Sequence, residues 1–243
     1  MNISIGLGLR PQQEGGTSAP ELGALAWSTL WLAPYAGAPW AGETTAGASA
    51  GRDMLDAAAI PPTVGAAVDG RAPAVFADSL LEVTGLNWET MTGTGDHAIF
   101  VLAKTSARIA DQAHPINEDG LFCDASQSAG LFVAASGMRG FIFDGASKIT
   151  PYVAFSNGTW TLLKFKRDGA NIYAGKNGDA WTAGVASGEM SGAGLAGRLG
   201  WNYGTNLDGE ILMAGCLAYA PTDASIDNDI RAALAALFPS ISI

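Results

Sequence analysis

The sequence predicts an all-β sandwich of antiparallel strands with one short helix near its C-terminal end. Three observations support this fold class: a clear β-hairpin in the second half, a series of short apolar runs, and a single amphipathic helix pattern. The runs are divided by Gly, Asn, Asp and Ser clusters, with the spacing of about 8–12 residues that is typical of sandwiches. With 243 residues, the chain suits one large all-β domain that buries about 70–75% of its unfolded surface.

The hairpin lies in Thr159–Asn177, where two apolar runs flank the turn tetrad Arg167–Ala170. Asp-Gly between such runs favours a tight turn, because both residues tolerate positive φ. The first run alternates with period two, so one face carries Leu163 and Phe165 while the other is partly charged. The outward set is Trp160, Leu162, Lys164 and Lys166.

Further strands are predicted before and after the hairpin. Ala98–Lys104 is an unbroken apolar run and therefore predicts a fully buried strand, while Gly51–Ile60 suits a short turn or helix. The other predicted strands are Val75–Phe76, Leu80–Val83, Leu121–Cys123, Leu131–Ala135, Phe141–Phe143, Pro151–Phe155, Leu195–Asn202 and Gly209–Tyr219.

One helix is predicted after Pro221, and Pro239 ends it. Acidic residues near its start suit the positive end of the helix dipole. Apolar residues recur at helical spacing and form one stripe for packing against a sheet: Ile226, Ile230, Ala233, Leu234 and Leu237.

The first twenty residues differ from the rest of the chain. Ile3, Ile5, Leu7 and Leu9 alternate with Asn, Ser and Gly, which is a strand pattern, and Pro11–Ser18 follows as a flexible polar linker. Such a strand either pairs with an edge of its own domain or adds to a sheet edge of another subunit. We therefore divide the chain into an arm, 1–20, and a domain, 21–243.

Composition excludes several classes of function. The net charge of −10 argues against nucleic acid, whose affinity depends on phosphate neutralisation, and against anionic membrane surfaces. The N-terminus lacks the pattern of a signal peptide, and no apolar run reaches the length of a membrane span. Cys123 and Cys216 are expected to be buried thiols, with a disulfide as the alternative in an oxidising compartment.

Three stretches carry a resemblance to a known family. The first consists of Leu30–Ala33, Pro39-Trp40 and the segment PPTVGAAVDGRAPAVF. The second is the hairpin Trp160–Asn177. The third begins at Leu199-Gly200 and continues through LDGEILMAGCLAY to the helix. In this order they resemble the concanavalin A-like (laminin G-like) jelly-roll domains found in many phage and prophage proteins. The arm and its linker resemble those of virion accessory proteins of tailed phages.

The resemblance implies a non-enzymatic virion protein that displays a lectin-like jelly roll on a capsid or tail. Ile3, Ile5, Leu7 and Leu9 would then dock onto other virion proteins, and copies of the chain would sit side by side. Such a protein is made in the bacterial cytoplasm, located in the virion, and able to aid adsorption to host surface polysaccharide. The alternatives are a carbohydrate-binding module of a bacterial surface or host-recognition protein and, third, a glycoside hydrolase.

Two motif matches are weak. Gly47–Gly51 fits the G-x-S-x-G pattern of a nucleophile elbow, but no apolar strand precedes it. Gly192–Gly197 fits G-x-G-x-x-G, but the following residues predict a strand rather than the helix that a dinucleotide site needs. Neither match supports a catalytic or cofactor assignment.

Asp208 and Glu210 are the strongest catalytic candidates. At i and i+2 of a strand, their carboxylates share one face, as in some jelly-roll glycosidases. Those enzymes carry a third acid where this chain has Leu212 and Met213, and retaining hydrolysis needs a second carboxyl about 5.5 Å from the first. We therefore expect a turn-stabilising Asp208, a structural Glu210 and no catalytic residue.

Two further kinds of binding site were considered: a group of possible metal ligands and exposed aromatic side chains. Asn117-Glu118-Asp119 is the densest group of oxygen ligands, yet calcium needs six to eight oxygens, so we expect a solvated acidic loop and neither metal nor cofactor. An exposed indole beside an amide suits the stacking of a sugar ring. The glycan-binding candidates at predicted strand ends are Trp181, Trp201, Asn202 and Tyr203.

Overall fold

Two antiparallel β-sheets and a C-terminal helix form the part of the chain that the structure describes. The structure is a computed structural model that describes residues 62–92, 95–126, 128–191, 195–200, 206–217 and 224–243, together with the backbone of the strands at 30–33, 41–44 and 55–57. The all-β sandwich with a short C-terminal helix is thereby confirmed. The predictions for the arm, including Ile3, Ile5, Leu7 and Leu9, fall outside the described residues.

The first sheet, which we call the helix-side sheet, runs β14-β13-β12-β7-β16-β1-β2, with β5 also paired to β16 and β4 to β5. The long central strands β7 and β16 fit their nearly continuous apolar sequences. The strands are β1 (Leu30–Ala33), β2 (Ala41–Thr44), β4 (Thr63–Val64), β5 (Ala74–Phe76), β7 (His97–Ala107), β12 (Thr161–Asp168), β13 (Asn171–Lys176), β14 (Val185–Ala186) and β16 (Asp208–Leu217).

The second sheet, which we call the open sheet, runs β11-β10-β9-β8-β15-β6-β3. A short helix, α1 (Trp88–Thr92), follows β6, and a 3-10 turn at Pro115–Asn117 precedes β8. The strands are β3 (Leu55–Ala57), β6 (Leu81–Asn87), β8 (Asp119–Asp124), β9 (Ala129–Ala134), β10 (Gly137–Phe143), β11 (Ser147–Ile149) and β15 (Ala196–Leu199).

The main core lies between the two sheets. Leu163 and Phe165 point into it from β12, as the alternation predicts. Across from them, a β-carbon on Gly140 of β10 would lie 1.9 Å from Phe165 Cδ2, so only glycine fits there. Cys123 and Cys216 are both buried and neither forms a disulfide, which confirms the prediction of two buried thiols.

A second apolar cluster lies on the outer face of the helix-side sheet. Helix α2 (Ala224–Leu237) covers this face with Ile230, Ala233 and Leu234, which pack on side chains of β7, β12 and β16. These three residues of the stripe expected from the sequence therefore lie on the contact face of the helix. Among the described residues, no helix has the length and apolarity needed to cross a membrane.

Three local predictions are wrong. The hairpin turn lies one residue later than expected: Asp168 pairs with Asn171 and the turn residues are Gly169, at φ +59°, and Ala170. Glycine at the first central position is the pattern of a type II′ turn. The apolar segment Pro151–Phe155 is not a strand: only Val153 pairs with β10, as a bridge to Met138, and Pro151 has no N–H to contribute to a ladder.

The third wrong prediction concerns Gly51–Ile60. Its described residues, Leu55–Ala57, form β3, which pairs with β6 at the edge of the open sheet. A three-residue edge strand is too short to leave a clear periodic pattern in the sequence.

Candidate functional site

An open depression of about 540 Å³ lies on the outer side of the helix-side sheet, beside the last residues of the chain. Three segments form its walls: the turn before β5, the loop that leads into β12, and the residues that follow α2. Its lining residues are Ala67, Val68, Asp69, Gly158, Thr159, Trp160, Ser240, Ile241 and Ser242.

Asp69 is placed in the wall by a tight turn. Val68 and Arg71 exchange backbone hydrogen bonds of 2.8 and 3.0 Å, and Asp69 and Gly70 take φ values of +50° and +81°. Positive φ at both central residues is typical of a type I′ turn, which favours Asp-Gly. Asp69 Oδ2 accepts hydrogen bonds from Ser240 N at 3.0 Å and Ser240 Oγ at 2.8 Å, so the turn is tied to the segment after α2.

Trp160 forms the aromatic part of the lining. It precedes β12 on the outward-facing side of that strand, is half-buried, and packs against the apolar cluster beneath α2. Lys104 Nζ lies 5.1 Å from the centre of the indole and 2.6 Å from Glu210 Oε1. The indole is thus held by packing on the core and by a cation–π contact with Lys104. The charge of that lysine is already neutralised by Glu210.

The two carboxylates near the start of β16 have different surroundings. Asp208 is exposed at the start of the strand, while Glu210 is half-buried in its ion pair with Lys104. Leu212 and Met213, where a third acid would be required, are buried beneath α2. The Glu210 carboxylate therefore holds the Lys104 ammonium beside the Trp160 indole.

Trp181 lies elsewhere on the same sheet face, against β12 and β13. Lys164 Nζ and Lys166 Nζ lie 4.6 and 5.1 Å from the centre of its ring, and a β-carbon on Gly175 would lie 3.5 Å from its Cε3. The ring is half-buried and packs against the side chains of Lys164 and Lys166. The other glycan-binding candidates, Trp201, Asn202 and Tyr203, fall outside the described residues.

The acidic loop at Asn117-Glu118-Asp119 is not solvated, and this prediction is wrong. Glu118 is fully buried and accepts hydrogen bonds from Arg139 Nε at 2.9 Å, Arg139 Nη2 at 2.7 Å and the Tyr152 hydroxyl. Burial, together with the hydrogen bond to this carboxylate, raises the pKa of Tyr152. The network fixes the 3-10 turn to β10, because a buried carboxylate needs such partners.

Asp119 is also buried and accepts from Ile109 N at 3.2 Å. Among the described residues, no group of three or more His, Cys, Asp or Glu side chains is placed to hold a metal ion.

Sequence reasoning did not identify the depression. Asp69 and Ser240 are separated by 171 positions, and neither belongs to a catalytic or binding motif. The Asp-Gly turn could have been read from the sequence, but its partner could not. Trp160 was identified only as a hairpin residue.

Comparisons with known proteins support the fold. The chain is similar to domain 4 of AbnA, an extracellular GH43 arabinanase from Geobacillus stearothermophilus solved with arabinotriose, with 16% identity, a TM-score of 0.51, and coverage of 72% of this chain and 81% of that domain. It is also similar to Trypanosoma rangeli sialidase in complex with sialic acid, with 11% identity and a TM-score of 0.55.

The sialidase match covers 91% of this chain but only 35% of the enzyme. A third likeness, to the CBM40 of a Ruminococcus gnavus sialidase bound to sialyllactose, has 15% identity, a TM-score of 0.44, and coverage of 63% of this chain and 92% of that module, and it is too slight to carry an argument. No protein-family model matches the chain, and no curated protein matches its sequence. The first two likenesses are consistent with a jelly-roll sandwich fold.

Proposed function

We propose that the chain is a carbohydrate-binding jelly-roll module whose depression beside Trp160 holds an oligosaccharide. The observation that carries this proposal is that the half-buried Trp160 and Asp69 both line one open depression of about 540 Å³. Sugars offer apolar C–H faces and many hydroxyl donors, so an aromatic wall with a fixed acceptor suits them. Thr159, Ser240 and Ser242 add hydroxyl groups to the lining.

The neighbouring folds support the same class of ligand. Domain 4 of the Geobacillus arabinanase was solved with arabinotriose bound, which is an example of this sandwich holding a neutral oligosaccharide. The likeness concerns the fold, and the assignment to this chain rests on the depression itself.

Replacement of Trp160 by alanine tests the proposal. We expect the full chain to bind members of a glycan array and Trp160→Ala to lose at least about tenfold in affinity, because the apolar wall is removed. Trp181→Ala is the matched control, since its indole covers Lys164 and Lys166 and lies outside the depression. Equal losses for both variants, or no glycan bound by the wild type, would contradict the proposal.

We further infer that the module is not an enzyme. Glu210 is engaged by Lys104, and the neighbouring strand positions are covered by α2. Retaining and inverting glycosidases both need two suitably spaced carboxyl groups. Incubation with the polysaccharides that it binds should release no new reducing ends, and their appearance would identify a hydrolase.

At the level of the organism, we propose a virion accessory protein of a tailed phage. The support is the sequence of the arm: an alternating apolar strand followed by a polar linker suits addition to a sheet edge of a capsid or tail protein. Many copies on one particle would make weak glycan binding useful, because multivalency raises overall avidity. Deletion of residues 1–16 and analysis of particle composition test this role.

A further inference from the structure

We propose that the depression selects uncharged oligosaccharides and rejects sugars that carry a carboxylate, such as uronic and sialic acids. This inference rests on the proposed carbohydrate-binding function and narrows it to a substrate class. It also separates this chain from the sialidases that share its fold.

The lining of the depression carries one ionisable side chain among its described residues. That side chain is Asp69. It is held in place by two hydrogen bonds from Ser240 to Oδ2. A carboxylate on a bound sugar would therefore meet a fixed negative charge, whereas a hydroxyl would find an acceptor.

The side chains of Lys104 and Arg71, which lie close to the depression, are already engaged by other groups of the protein. Lys104 Nζ lies 2.6 Å from Glu210 Oε1 and over the Trp160 indole. Arg71 Nη1 donates to Asp69 O at 3.3 Å and Leu237 O at 3.1 Å, and its guanidinium lies over the Phe238 ring. Sites for carboxylates usually present an arginine fork or a lysine to the ligand, and these side chains are directed to protein groups instead.

The expected size of the discrimination follows from Coulomb's law. Two like charges a few ångströms apart at an open surface repel enough to weaken binding by about tenfold. The net charge of −10 adds a longer-range repulsion that salt screens beyond about 10 Å. The discrimination should therefore shrink, but not vanish, as the salt concentration rises.

Asp69→Asn is a suitable variant because it removes the charge and keeps the shape. Asparagine retains a side-chain oxygen that can accept from Ser240, and it tolerates the left-handed φ of +50° at this position. Glu189→Gln is the matched control: it changes the net charge by the same amount at an exposed position. Glu189 follows Gly188, whose carbonyl binds Arg167 at the other end of β7.

The experiment titrates the full chain with pairs of trisaccharides: galactotriose against trigalacturonate, which carries three carboxylates, and 3′-galactosyllactose against 3′-sialyllactose, which carries one. Whichever pair is bound, the neutral member should bind at least about tenfold more tightly to the wild type, because one charge repulsion already gives this preference. Asp69→Asn should bring the ratio close to one, and Glu189→Gln should leave it nearly unchanged.

The outcomes are distinguishable. If the acidic member binds the wild type as tightly as its neutral partner, the charge selection is wrong and the carbohydrate-binding function stands. The same conclusion follows if Asp69→Asn folds, as judged by its unfolding transition, and keeps the wild-type ratio. If no sugar of either class binds, both the function and this inference fail. The wild-type ratio decides the question even if the variant does not fold.

Discussion

Individual buried side chains show how the sandwich tolerates polar groups in its interior. His97 is fully buried at the start of β7, and its Nδ1 donates to the Gly95 carbonyl at 2.9 Å, so the neutral ring carries its proton on Nδ1. Its Nε2 has no hydrogen-bond partner among the described residues. Burial, with a smaller contribution from the Arg167 guanidinium, lowers the pKa of His97 to about 4. The structure thus favours the uncharged ring.

The lowered pKa gives a pH-dependent stability. Between pH 6.5 and about 4 the unfolded chain binds a proton that the folded chain does not, so the free energy of unfolding falls as the pH falls through this window. Below it both states are protonated and the loss levels off at about 3 kcal/mol. His97→Asn should remove most of this slope in urea unfolding measured from pH 4 to 8.

A matched control for this titration is His114→Asn. His114 is half-buried, and its Nε2 lies 2.7 Å from Ser147 Oγ. Its pKa is also lowered by burial, so its replacement should remove a smaller part of the slope. An unchanged slope in His97→Asn would show that other groups control acid stability.

At the scale of elements, helix α2 is fixed to the sheet by an ion pair as well as by its apolar face. Lys164 Nζ, on β12, lies 2.8 Å from Asp227 Oδ2 in the first turn of the helix, and the lysine side chain is only 1% exposed. Burial lowers the pKa of Lys164, and Asp227 opposes this shift. The pair therefore sets the position of the helix start, while Ile230 and Leu234 supply the apolar contact.

Breaking this pair from one side should be costly. Asp227→Asn leaves a buried ammonium without its carboxylate, and we expect the free energy of unfolding to fall by about 3 kcal/mol. Asp227→Asn combined with Lys164→Met should lose less than the sum of the two single changes, with a coupling of about 1–3 kcal/mol. Urea denaturation of the four proteins measures the cycle.

Asp229→Asn is the control for Asp227→Asn, because Asp229 is exposed on the same helix and should change stability by less than about 0.5 kcal/mol. Equal effects of the two substitutions would show that the helix dipole, rather than the buried pair, accounts for the loss. The comparison of the two substitutions therefore measures how much the ion pair contributes to the free energy of unfolding.

For the whole molecule, local patterns predicted the sandwich well because strand periodicity and turn chemistry are local. The alternation of Leu163 and Phe165 with Lys164 and Lys166 correctly separated core from outer face. Predictions at the sheet edge were less successful: Pro151–Phe155 has the composition of a strand, but only Val153 pairs with β10.

The candidate site was less predictable than the fold. The contact of Asp69 with Ser240 spans 171 positions, and no periodic pattern encodes such a distance. The buried state of Glu118 likewise depends on Arg139 and Tyr152, which are remote in sequence. Local sequence patterns predict only contacts that are made within one element or between neighbouring strands.

The division into an arm, 1–20, and a domain gives the last prediction. The two sheets and α2 contain the core of the described residues, built from residues after 73, so deletion of residues 1–16 should leave the urea-unfolding midpoint of the domain unchanged. The same deletion should remove the protein from particles, because the alternating strand of Ile3, Ile5, Leu7 and Leu9 is the proposed attachment. A change of Ile5 and Leu7 to serine is the matched variant: it keeps the length of the arm and removes its apolar face. Assembly of the truncated protein, or a lowered midpoint, would instead indicate that the arm pairs within its own domain.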